Sequence, residues 1–263
     1  MYAPVIRPLA RQLWDDPNYS HALLVPLFVA YVLWRERSRW RTVGVAASDS
    51  GLLIISAALG LLFFGLLGAE LFTARISLLI LISGIIVFLV GWQLLRSMAF
   101  PIGYLTFMIP LPALVYYQLT FPLQLWASRL GADGLVLLGV HTVREGNLLI
   151  LPNVTLEVVE ACSGVRSLLS LLAAVVAYGH LAENSRWRRW LLVAITIPVV
   201  ILSNGLRLVA TGVLSFVFGP HVDSGLIHTA LGLGFFALAF LLIILIHHLL
   251  CYLANGRILA PVH

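Results

Sequence analysis

Residues 235–246 read FFALAFLLIILI, twelve positions without one polar side chain, and they sit inside an apolar run of about 29 residues from 225 to 253. About 20 such residues cross a bilayer as a helix, and lipid leaves the backbone no hydrogen-bond partner outside its own helix. The run recurs along the chain, at about 20–34, 51–69, 76–95, 98–120, 164–182 and 190–218. The composition agrees: 61% of the 263 residues are hydrophobic, 10% are charged and the mean hydropathy is +1.01. The expected fold is an all-α integral membrane protein of about seven (six to eight) transmembrane helices, forming one domain over 1–263.

All 16 basic residues are arginines, giving a net charge of +5. Such a charge suits nucleic acid or anionic lipid, but most of these arginines lie in short loops between apolar runs, where they set orientation, so nucleic-acid binding is not expected. The densest clusters, WRERSRWR at 34–41 and ENSRWRRW at 183–190, fall on one side of a seven-span chain, together with Arg257. That side is read as cytoplasmic. Residues 1–20 hold Asp15, Asp16 and three prolines without a continuous apolar core, so no cleavable signal peptide is expected and the first span is retained.

Residues 121–163 form the one long connection, on the extracytoplasmic face between the fourth and fifth spans. Its first part, LQLWASRLGADGLVLLG, has helical spacing suited to the interface. Its second part, HTVREGNLLILPNVTLEVV, has β-branched residues and two turn signals and reads as a small hairpin. Pro101, Pro110 and Pro112 interrupt the fourth span.

Against this apolar background the polar residues single themselves out. In VVEACSGVRSLL, Cys162 stands just before the fifth span, with Glu160 and Ser163 beside it, and Arg166 follows at i+4 on the same helical face. In ILSNGLRLVATG, Arg207 lies 17 residues beyond Trp190, about 26 Å along a helix, which puts it in the outer leaflet. A charge at such depth costs at least ~2.5 kcal/mol and needs a partner or a wet cavity; Glu157 or Glu160 is one possible ion-pair partner. Asn204 and Thr211 share the Arg207 face. In DSGLIHTALG, His228 is one turn inside the seventh span from the same side. Three spans oriented by loop charge alone thus bring Cys162, Arg207 and His228 to one depth.

A helix N-terminus and cationic neighbours favour a thiolate. Such a sulfur can attack a peptide carbonyl, His228 can protonate the leaving amine and a guanidinium can hold the oxyanion, giving a thioester acyl enzyme. Arg166 suits a catalytic or a supporting role equally. Cys251, in IHHLLCYL near the cytoplasmic end, reads as a small apolar filler, and it cannot reach Cys162 to form a disulfide. His247 and His248 read as interfacial. His141, His180 and His221 lack metal-ligand spacing, so neither a metal nor a cofactor is expected.

The segments WDDPNYSHALLVPLFVAYVLW, GWQLLRSMAFPIGYLTFMIPLP, EGNLLILPNVTLEVVEACSGVRSLLSLLA, NGLRL and HTALG together resemble the exosortase/archaeosortase family of multi-pass membrane cysteine enzymes. The resemblance implies cleavage of a C-terminal sorting tail made of a Pro-Glu-Pro-type motif, one transmembrane helix and a basic cluster. It also implies passage of the protein toward the cell surface, and a link to exopolysaccharide export machinery. It puts the family's cysteine on Cys162, its arginine on Arg207 and its third basic position on His228, where the histidine indicates the bacterial branch and hence the inner membrane. Substrate-binding or supporting positions fall on Arg166, Asn204, Glu160 and Ser163. From the residues alone a second class stays open: a transporter or channel in which Arg207 and Arg166 bind an anion. A thiol requirement separates the two.

Overall fold

The computed structural model describes residues 2–152, 154–158, 165–219 and 225–258. It divides into two compact units, residues 1–116 and 117–263.

The first unit opens with α1 (Ala3–Asp15), whose Val5, Leu9 and Leu13 are buried at intervals of four while Arg7 and Arg11 are exposed. Such a two-faced helix suits a membrane surface better than its interior. A 3₁₀ stretch (Pro17–Leu23) leads into α2 (Leu24–Arg35), followed by the short α3 (Arg37–Arg41). Then come the long α4 (Ser50–Leu67) and α5 (Leu71–Leu89), and the short α6 (Trp92–Ser97) and α7 (Ala99–Tyr104). Helices α4 and α5 form a tight hairpin because small residues stand where the backbones meet. A Cβ on Gly65 would lie 2.8 Å from the Ala74 nitrogen, and one on Gly84 would lie 2.9 Å from the Ile55 nitrogen. Glu70 starts α5 by accepting from the Phe72 and Thr73 amides at 3.1 and 2.6 Å.

The second unit contains most of α8 (Ala113–Leu137), three strands and the helices α9 (Val165–Ala182), α10 (Arg186–Phe218) and α11 (Gly225–Ile258). The stretch LQLWASRLGADGLVLLG, expected to be helical, continues α8 as far as Leu137. In place of the expected hairpin stands an antiparallel meander of β1 (Val143–Glu145), β2 (Leu148–Ile150) and β3 (Thr155–Glu157). Gly146, at φ 63°, makes the first turn. Leu149, Leu156 and Val158 bury against Ala127 and Leu135 of α8 and Leu208 of α10. That burial explains why a third strand is recruited.

Helices α8 and α10 approach through glycines on both sides. A Cβ on Gly205 would lie 2.8 Å from Leu130 Cβ, and one on Gly131 would lie 2.6 Å from a Leu208 methyl. Helices α10 and α11 run antiparallel, with Arg188 beside Cys251, Ser203 donating to the Phe235 carbonyl, and Arg207 beside His228.

Among the described residues, four helices are long and apolar enough to cross a membrane: Ser50–Leu67, Leu71–Leu89, Arg186–Phe218 and Ile227–Leu253. A fifth span results if Ala99–Met108 and Ala113–Leu137 count as one broken crossing. The expected spans at 20–34 and 164–182 fall on apolar helices of 15 and 17 residues, His21–Arg35 and Arg166–Ala182. At 1.5 Å per residue these reach about 22 and 26 Å, short of a hydrocarbon core of about 30 Å. Among the described residues four spans, or up to five, stand where seven were expected, and the fold is nearly all-α with one small sheet.

Candidate active site

Helix α10 carries Arg207 into the interior of the second unit, where the residue is 8% exposed. Its neighbours along the buried face are Asn204, Leu208 and Thr211, the i−3, i+1 and i+4 positions. On the facing helix Gly232 has no side chain, and a Cβ there would come within 3.6 Å of the guanidinium carbon. A Cβ at that distance would make ordinary van der Waals contact, so the arginine head packs directly against the α11 backbone at this point.

A polar partner of Arg207 is His228, on the first turns of α11, with Nη2 2.8 Å from the imidazole Nε2. A guanidinium can only donate, so Nε2 accepts and the imidazole is the neutral tautomer with its proton on Nδ1. A narrow crevice runs beside this pair between α9, α10 and α11, lined by Ser167, Ser203, Asn204, Arg207, Gly232 and Phe235 among others. Its polar wall belongs to α10 and its apolar wall to α11.

The residues expected in one site meet as follows. Arg207 and His228 are in direct contact, and Asn204 lines the same crevice one helical turn away. Arg166 is half-buried on the first turn of α9, next to the crevice residue Ser167. Cys162, Glu160 and Ser163 lie outside the described residues. Glu157, weighed as an ion-pair partner for Arg207, is exposed on β3.

Two polar features were not expected. Arg75, within α5, is 4% exposed and donates to Gln12 Oε1 of α1 at 2.9 Å. The other is a cluster where the α9–α10 loop meets α11. Glu183 is buried and accepts from Arg188 Nε at 2.9 Å and from the Ser185 amide at 2.7 Å. His247 and Cys251 crowd the same carboxylate. Burial opposes ionisation of Glu183, but the Ser185 amide, His247 and Arg188 outweigh it and hold the carboxyl below its usual range. Cys251 is therefore no mere apolar filler, and only His248 of the histidine pair is exposed; His247 is buried. Sequence spacing hides this cluster because 64 residues separate Glu183 from His247.

No curated protein and no solved structure matched the chain. A family model described as transmembrane exosortase matches residues 13–245, nearly the whole chain. The match includes α10, α11 as far as residue 245 and the Arg207–His228 pair they hold, and family membership brings with it a membrane setting and membrane-protein substrates. The chain belongs to the transmembrane exosortase family of membrane-embedded sorting proteases and transpeptidases.

Proposed function

We propose that the protein is a cysteine-dependent sorting protease or transpeptidase of the bacterial inner membrane. In this reading it cuts a C-terminal tail, made of a Pro-Glu-Pro-type motif, a transmembrane helix and a basic cluster, on the extracytoplasmic side. The observation that carries the reading is the part-buried bond between Arg207 and His228 beside a polar-walled crevice. An intramembrane arginine is costly to keep, and such residues face the bundle interior and mark functional sites by default.

The pair suggests how the steps are coupled. His228 Nε2 exchanges its bond to Arg207 for one to the Cys162 thiol and takes the thiol proton. The thiolate attacks the substrate carbonyl, and the guanidinium, released from the imidazole, donates to the oxyanion. Collapse breaks the C–N bond, the imidazolium gives its proton to the leaving amine, and a thioester remains on Cys162. Water or another nucleophile then gives a proton to His228 and its oxygen or nitrogen to the acyl carbon, expelling the thiolate. Asn204, on the crevice wall, orients the peptide; Arg166, Glu160 and Ser163 support the Cys162 end.

Co-expression with a reporter bearing such a tail tests the reading. Cleavage that requires Cys162 is the expected result. Uncut reporter in the presence of well-expressed wild-type protein overturns it and returns weight to an anion transporter, and cleavage undiminished in Cys162→Ser overturns the thiol mechanism.

A further inference from the structure

The cluster at the far end of α10 and α11 from Arg207 has a geometry that packing alone does not account for. Three donor atoms of different chemistry converge: Glu183 Oε2 is 3.0 Å from His247 Nε2 and 3.8 Å from Cys251 Sγ, and Sγ is 3.4 Å from Nε2. In a tetrahedral zinc site with bonds of about 2.0–2.3 Å, neighbouring ligand atoms stand about 3.3–3.6 Å apart. The observed triangle brackets that spacing. Glu183 and His247 are each 4% exposed, while Cys251 is half-buried and leaves a way in.

The surroundings resemble the support that metal ligands need. Tyr178 Oη lies 2.8 Å from His247 Nδ1, turning the other ring nitrogen toward the cluster. The Ser185 amide holds the second carboxylate oxygen, Oε1, at 2.7 Å, which leaves Oε2 facing the thiol and the imidazole. An ion pair would need only Arg188 and Glu183. It does not explain why a thiol and an imidazole nitrogen are directed at the same carboxylate oxygen. Nor is this a nucleophile–base–acid chain, since Cys251 and Glu183 share one nitrogen of His247 instead of using opposite sides of the ring.

We propose that Glu183, His247 and Cys251 form a binding site for one divalent transition metal ion of the zinc type, separate from the Arg207–His228 site. Binding deprotonates the Cys251 thiol, and the His247 proton shifts to Nδ1, where it is donated to Tyr178 Oη. The carboxylate and thiolate together balance the 2+ ion, and water takes the fourth position. Arg188, whose side chain is 34% exposed, gives up its place at Oε2 and turns to solvent.

The chain has two cysteines, so a Cys162→Ala background leaves Cys251 as its one thiol. Full-length Cys162→Ala protein, purified in detergent and stripped with chelator, is titrated with Co²⁺ as a spectroscopic probe. The expected result is a thiolate-to-cobalt charge-transfer band that saturates at one ion per chain and is displaced by Zn²⁺. Adding Cys251→Ser abolishes the band, His247→Ala weakens binding at least tenfold, and Arg188→Met tightens it by removing a competing cation. Absence of the band in the Cys162→Ala parent, or its survival in the Cys251→Ser variant, overturns the proposal. Thermal unfolding of each variant verifies that it is folded, and reporter cleavage by chelator-treated wild-type protein reads the sorting activity separately.

Discussion

Arg207 donates to Nε2 of His228 across the α10–α11 interface, and this fixes the imidazole as neutral in the resting protein. The histidine therefore carries no positive charge in this bond until it takes a proton. In the proposed mechanism the two residues form an exchange pair, each released when the other changes partner.

This predicts different deficits for the two members. Arg207→Lys keeps the charge but loses the planar fork that can hold an imidazole or an oxyanion, so reporter cleavage should fall by ~10²–10³-fold. His228→Ala should slow cleavage by ~10²–10⁴-fold. The double variant should be little worse than the more damaged single one, because groups acting as a unit are not additive. Rates from reporter pulse-chase give all three numbers, and multiplicative losses would mean that the residues act independently.

Cys162→Ser should abolish turnover, since a hydroxyl is far less acidic than a thiol and is not activated by the same surroundings. It should keep tail binding. Crosslinking the uncut reporter to this variant is the measurement; loss of both binding and cleavage would instead assign Cys162 a structural part.

Gly205 lies two residues from Arg207 and touches α8, where an added methyl would come 2.8 Å from Leu130 Cβ. A contact so near the neighbouring backbone cannot be relieved by rotating a side-chain tip. Gly205→Ala should destabilise the protein by about 1–3 kcal/mol and lower cleavage through displacement of Arg207. Thermal unfolding in detergent alongside the reporter assay checks both effects.

Glu70 gives a pH dependence outside the site. Burial raises its pKa, but bonds from the Thr73 side chain and the Thr73 and Phe72 amides prevail, so the carboxyl sits below its usual value. A carboxylate depressed on folding contributes stability that is present above its unfolded pKa of about 4.3 and is lost as pH falls through the folded value. Glu70→Ala should cost about 1 kcal/mol at neutral pH, as for a lost helix cap, and the difference from wild type should vanish in acid. Unfolding midpoints at pH 7 and below pH 4 test the sign.

Arg207 and His228 were legible in the sequence because a charge and an imidazole inside apolar helices need an explanation wherever they fall, and helix rise converts their positions to depths. The Glu183–His247–Cys251 cluster was not legible. Glu183 sits in a loop where polar residues are common, His247 and Cys251 lie within the last turns of a long helix, and only the antiparallel pairing of α10 and α11 brings 188 beside 251. Hydropathy marked 20–34 and 164–182 as spans; the first was already short at 15 residues, and the structure ends the second as a 17-residue apolar helix, Arg166–Ala182. The third strand, Thr155–Glu157, was hidden because its pairing depends on Leu156 finding a pocket between α8 and α10.

The pairing of α10 with α11 is tied by polar contacts near both ends and again at Ser203–Phe235, so one helix cannot slide past the other by a turn, about 5.4 Å, without breaking all three. Nineteen residues separate Arg188 from Arg207 on one rail, and twenty-three separate His228 from Cys251 on the other. A residue inserted into either rail rotates everything beyond it by about 100° and leaves one end aligned at the expense of the other. In grafting and chimera building the two helices are therefore a single part, to be moved together or left alone.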